Sequence, residues 1–229
     1  MFFSAPPISD DLADWIVDSF IWHREVHAPP QRLILPTRDF FTAPGGESHE
    51  TAVAVLADLQ RLLGMEKRDI ALAPLPDIPD ELSHSYERLG DVAGSYEFDA
   101  DTPLIRYNPK LMRRPILFIN TMAHELMHDK LALHMDDVPG GVGAHELATD
   151  LHCILHGFGV IQLQAADAAG WTGYMSQSSR AYALELFLAV NQCDRAMALG
   201  RMSGRVGKLM KRAGRMKRLA SDIDEILKT

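Results

Sequence analysis

The stretch Pro115-Ile116-Leu117-Phe118-Ile119-Asn120-Thr121-Met122-Ala123-His124-Glu125-Leu126-Met127-His128 decides the reading of this chain. Its first half is strongly apolar and switches to helical spacing, and its end carries His-Glu-x-x-His. Residues i and i+4 of a helix lie one turn apart on one face. His124 and His128 therefore point the same way and can reach one ion. Glu125 is turned roughly 100° from His124. That sets it beside the ion, where it can take a proton from a bound water. The pattern alone fixes only three positions, and a helix with two surface histidines is the plain alternative. The apolar flanks argue for burial, and buried histidines and a buried glutamate need partners. A metal supplies them.

Catalytic zinc commonly has three protein ligands and an open fourth position. Residues 136–144, Asp-Asp-Val-Pro-Gly-Gly-Val-Gly-Ala, form a flexible loop long enough to reverse the chain. A second helix is expected from His145. Glu146 on it can ligate, and Asp150, one turn on, can accept from the far nitrogen of a ligand histidine. One Zn2+ is the expected cofactor. His145, next to Glu146, is an alternative ligand.

His124-Glu125-x-x-His128 followed by Glu146-x-x-x-Asp150 resembles the gluzincin pattern of thermolysin-like peptidases. The resemblance implies Glu146 as third zinc ligand, Asp150 as the residue orienting a histidine, a zincin-like fold, and a peptide or protein substrate. Longer blocks are similar to a group of uncharacterised bacterial proteins predicted to be zinc peptidases. These blocks are Ala123–His128, Glu146–Leu151, Gly157-Phe158-Gly159, Gly173–Ser176 and Tyr182–Phe187. They cover residues 104–190, under half the chain. His152 and His156 depart from that group, where apolar residues are expected. With His145 and Thr149 they make one helical stripe, read either as a second metal site or as a solvated, hydrogen-bonded face. His134 has metzincin spacing from His128, but Leu131 replaces the glycine that would break the helix. With Leu131 the helix is expected to continue, leaving His134 off the His128 direction. Tyr174 and Tyr182 are candidate donors to a developing oxyanion, with a packed aromatic as the alternative for each. Asp129 reads as an exposed residue or a helix-end partner.

Working outward, helices are expected over 11–27, 47–63, 178–199 and 203–227, with a further one over 145–164. Short strands are expected at 32–35, 69–73, 95–98 and 104–107. Pro29-Pro30 should stop the first helix, and Pro74, Pro76 and Pro79 should mark a linker. Small mixed elements come first and helices after, an α+β pattern. One zincin-like domain is expected, made of a mixed part (1–110), a helical part carrying the metal site (111–200) and a basic amphipathic C-terminal helix (201–229).

The 229 residues are 47% hydrophobic and carry a net charge of -8. That allows one packed core and offers no global electrostatic case for nucleic acid. The charge is uneven: residues 195–229 hold ten bases and three acids. Met202, Val206, Leu209, Ala213, Met216, Ala220, Ile223 and Leu227 form an a/d-like seam along the last helix. It reads as a core cover with a basic edge facing the acidic body; a dimer contact or an acidic partner is the alternative. Cys153 and Cys193 form no CxxC motif, and two reduced thiols suit a cytoplasmic protein. The N-terminus lacks the basic region of a secretory signal, and no apolar run is long enough for a membrane span. A zinc peptidase is the first expectation. A catalytically silent zincin-fold regulatory or interaction module is the second, and the intact Glu125 argues against it.

Overall fold

The computed structural model describes residues 8–27, 31–76, 93–99, 101–170 and 173–229. Helix α1 (Asp10–Val26) starts behind Ser9, whose hydroxyl accepts from the Leu12 amide. Helix α2 (His49–Leu63) is capped by Ser48 and stopped by Gly64 at φ 67°. Both follow the usual rules for polar N-caps and left-handed glycine stops. Three short strands follow: β1 (Ala71–Pro74), β2 (Gly94–Glu97) and β3 (Leu104–Tyr107). β3 is central, parallel to β1 and antiparallel to β2. The proposed stops at Pro29-Pro30 and Pro79 lie outside the described residues.

The apolar run Leu33-Ile34-Leu35 does not form the expected strand. All three side chains are buried, but the Ile34 amide donates to the Gly157 carbonyl at 3.0 Å rather than to a neighbouring strand. Apolarity reported burial there, and no described strand lies alongside to supply a ladder.

Helix α3 (Pro115–Leu131) is the central element. Met122, Leu126, Met127 and Leu131 are fully buried, because α3 packs against α2, β2, β3 and the helices that follow it. A helix apolar on most sides belongs in the interior. Truncating Leu126 to alanine should cost about 2–5 kcal/mol.

The helix expected over 145–164 is broken. Helix α4 (His145–Cys153) runs into a π-turn (Ile154–Phe158), and α5 (Gly159–Ala168) continues beyond it. Gly157 sits at φ 96°, and a Cβ there would lie 2.2 Å from the Arg32 carbonyl oxygen. Only glycine allows that approach. The helix expected over 178–199 is likewise two: α6 (Gln177–Val190) and α7 (Arg195–Leu199), restarted by the Asp194 cap.

The last expected helix also divides, at Gly214, into α8 (Gly204–Ala213) and α9 (Leu219–Lys228). The break shifts the register, so Ile226 is buried while Leu227 on the expected seam is 49% exposed. Arg205 pairs with Asp167, Arg195 with Glu185, and Arg218 with Asp10, Asp14 and Asp222. These parts of the basic edge face the acidic body. The architecture is α+β: a three-stranded sheet with α2 and α3 around one hydrophobic cluster, and α1 with α4–α9 around another. Among the described residues no helix is long and apolar enough to cross a membrane.

Candidate metal centre

Helix α3 presents His124 and His128 one turn apart, and α4 brings Glu146 across from them. Nε2 of His124 lies 3.1 Å from Nε2 of His128 and 3.3 Å from a Glu146 carboxylate oxygen. That same oxygen is 3.6 Å from His128 Nε2. Zinc bound tetrahedrally at 2.0–2.1 Å needs donor atoms about 3.3–3.4 Å apart. The three observed edges bracket that value.

The far nitrogens show which atoms carry protons. Asp150 Oδ1 is 3.2 Å from His124 Nδ1. A carboxylate only accepts, so Nδ1 is the protonated nitrogen and Nε2 carries the lone pair. Thr149 donates its hydroxyl to the His145 carbonyl at 2.9 Å. Its oxygen is therefore free to accept from His128 Nδ1, 3.3 Å away. His145 Nε2 also meets that Nδ1, at 3.0 Å. Two imidazole lone pairs and a carboxylate oxygen thus converge on one point, a donor set that fits zinc and that only positive charge can reconcile. The electrostatics agree. Against the desolvation of burial, Asp150 and Glu146 push His124 up to about 10. Burial and the neighbouring His124 push His128 down to about 3.

Asp150 is itself anchored. Its Oδ2 accepts from Arg180 at 2.7 Å and from the amides of Tyr174 and Met175 at 2.9 and 3.1 Å. Gln162 Nε2 donates to its backbone carbonyl at 2.8 Å. Burial works to raise this carboxyl, but His124 and Arg180 hold it well below the usual carboxylate range. Gly173, at φ 109°, belongs to the same arrangement, since a Cβ there would collide with the Arg180 guanidinium.

Glu125 is buried beside the cluster and none of the described residues hydrogen-bonds its carboxylate. Burial pushes it up to about 7, with the Glu146 charge adding to the effect and His124 opposing it. Strand β2 runs past it: a Cβ on Gly94 would lie 3.0 Å from a Glu125 carboxylate oxygen. A carboxylate near neutrality and free of partners suits a general base.

The other sequence candidates fall in different places. The Tyr174 ring stacks on His124 with centroids 6.1 Å apart and is 55% exposed, on the rim of the cluster. Tyr182 is a correction: it is fully buried and its hydroxyl donates to Asp222 of α9, which removes it as an oxyanion donor. Helix α3 does end at Leu131 despite the missing glycine, yet His134 packs its ring against Trp22 and does not join the donors. Asp129 is buried rather than exposed, held by Arg68 at 3.0 Å and by the Tyr96 hydroxyl at 2.8 Å. Tyr96 in turn stacks on His128. The proposed stripe of four separates: His145 and Thr149 meet His128, whereas His152 and His156 are buried elsewhere and are not a solvated face. Sequence reading missed Arg180, Gln162 and Tyr96. Each arrives from a distant element with no local spacing to mark it.

No family model, curated protein or solved structure matches this chain.

Proposed function

We propose that this chain is a zinc-dependent peptidase of gluzincin type on a zincin-like fold. The observation that carries the reading is the triangle of His124 Nε2, His128 Nε2 and the Glu146 carboxylate, with edges of 3.1, 3.3 and 3.6 Å. A zinc ion held by these three residues would polarise a scissile carbonyl and acidify a water in its open position.

The chain's own residues do the rest. Asp150 and Thr149 accept from the Nδ1 protons and keep both Nε2 lone pairs aimed inward. The Glu125 carboxylate takes a proton from the attacking water and returns it to the leaving nitrogen. Tyr174, on the rim, is the remaining candidate for an oxyanion donor. Among the described residues β2 is paired on one side only, with β3. Its free edge beside Glu125 suits an extended peptide lying along it as an added strand.

The test is a peptide-library digest read by mass spectrometry, run on zinc-loaded wild type and Glu125→Gln in parallel. Cleavage by wild type alone supports the proposal. A fully zinc-loaded wild type that cleaves nothing across the library would turn the reading to a catalytically silent module.

A further inference from the structure

A second group of histidines lies outside this site. His23 on α1 meets His152 on α4 and His156 in the π-turn, and their ring nitrogens all lie within 4.8 Å of one another. All three are buried. His27, one turn after His23, stands beside them, its ring centroid 4.6 Å from that of His23 and 4.8 Å from that of His156.

What singles the cluster out is its missing partners. Both ring nitrogens of His23, both of His152, and Nε2 of His156 are buried with no hydrogen-bond partner, as is Nε2 of His27. Buried polar atoms in folded proteins nearly always have one. His156 Nδ1 is the exception within the cluster, lying 2.9 Å from the His152 carbonyl. A carbonyl only accepts, so Nδ1 holds the proton and Nε2 is left with its lone pair, the arrangement that prepares a histidine to ligate. Burial holds the rings in the neutral, ligating form, with His152 pushed down to about 3.

We propose that His23, His152 and His156 form a second, structural metal site that takes a borderline divalent cation, Zn2+ above all, with His27 next to the fourth position. An all-imidazole set suits zinc, and also copper or nickel, over magnesium or calcium. Tetrahedral zinc needs nitrogens about 3.3–3.4 Å apart, so small ring rotations within the 4.8 Å spread would close the site. A pocket lined by Phe20, His23, Arg24, His27 and Gln31 supplies an approach. The ion would clamp α1 to the point where α4 gives way to α5 at Gly157. Its role is therefore in holding the fold, and it stands independently of the peptidase reading.

The test is metal stoichiometry after loading with Zn2+ and dialysis. Wild type should hold two zinc ions per chain and His23→Gln/His152→Gln one. His124→Ala/His128→Ala/Glu146→Ala should also hold one, and its Co2+ form should show the visible absorption of a tetrahedral nitrogen site. Zinc should raise the melting temperature of that triple variant. One zinc in wild type, unchanged by His23→Gln/His152→Gln, would overturn the proposal. If that double variant does not fold, a triple variant that takes up neither Zn2+ nor Co2+ overturns it instead. A triple variant holding one ion without peptidase activity in wild type would sink the proposed function and leave this site standing.

Discussion

Asp150 bridges His124 and Arg180: its Oδ1 faces His124 Nδ1 at 3.2 Å while its Oδ2 accepts from the Arg180 guanidinium at 2.7 Å. One buried carboxylate thus fixes the tautomer of a metal ligand and neutralises a buried cation from α6. The arrangement couples the candidate site to the packing of the helical half.

Asp150→Asn should weaken both functions. The amide cannot balance Arg180, and breaking a buried pair of this kind costs roughly 3–5 kcal/mol. Zinc affinity should fall by about 10–100-fold through the lost orientation of His124. Chelator competition and urea unfolding measure the two. Because the folded carboxyl is held below its unfolded value of about 3.9, its contribution is complete above that pH and is lost as the solution is acidified through it. Wild-type stability should therefore fall more steeply below pH 4 than that of Asp150→Asn. Parallel acid curves would contradict the assignment.

Glu146→Ala should abolish stable zinc binding at the first site, since it removes one corner of the donor triangle. His134→Ala should leave that site unchanged, because its ring lies against Trp22. His145→Ala should fall between, weakening zinc by roughly the 10-fold lower end of outer-partner effects, because His145 touches His128 only at Nδ1. Zinc-binding titrations on the three proteins give the order. Loss of zinc in His134→Ala with retention in Glu146→Ala would move the third ligand to the metzincin position.

The parts of the molecule legible in the sequence are those set by local spacing. His124, Glu125 and His128 follow from one turn of helix, and Glu146 and Asp150 from a second turn behind a loop that reverses the chain. The strand at Leu104–Tyr107 also matches its expectation. What escaped depends on distant partners. Arg180 and Gln162 reach Asp150 across the helical half, and Tyr182 found Asp222 rather than the site. The Leu33–Leu35 run was correctly apolar but had no strand to pair with. The C-terminal seam looked continuous because Gly214 interrupts a helix without disturbing the apolar count. His23 and His27 share the i, i+4 spacing of the ligand pair, and that signal could have tied α1 to His152 and His156.

Gly157→Ala tests the break between α4 and α5. The residue sits at φ 96°, which costs a non-glycine residue about 1–3 kcal/mol, and the new methyl would meet the Arg32 carbonyl at 2.2 Å. The backbone would have to move, and the Ile34–Gly157 hydrogen bond with it. A melting temperature lower by several degrees is expected, measured by circular dichroism. A variant as stable as wild type would mean that the π-turn can relax without cost.

Glu125→Gln separates binding from chemistry. The side chain is not one of the three converging donors, and the amide keeps its shape. Zinc content and folding should therefore survive. Glutamine cannot accept the water's proton, so turnover should drop by roughly 10²–10⁴-fold. The pH profile adds a second readout. Burial raises the Glu125 carboxyl to about 7, while the charge of a bound zinc ion would pull it lower. The base works only when ionised, so wild-type kcat/KM should fall as pH drops through that value and level off above it. The residual rate of Glu125→Gln should lack this acid limb. Both are read from pH–rate curves on any peptide the library digest identifies. An acid limb of equal position in both proteins would assign the titration to another group, and equal rates in both would show that Glu125 is not the base.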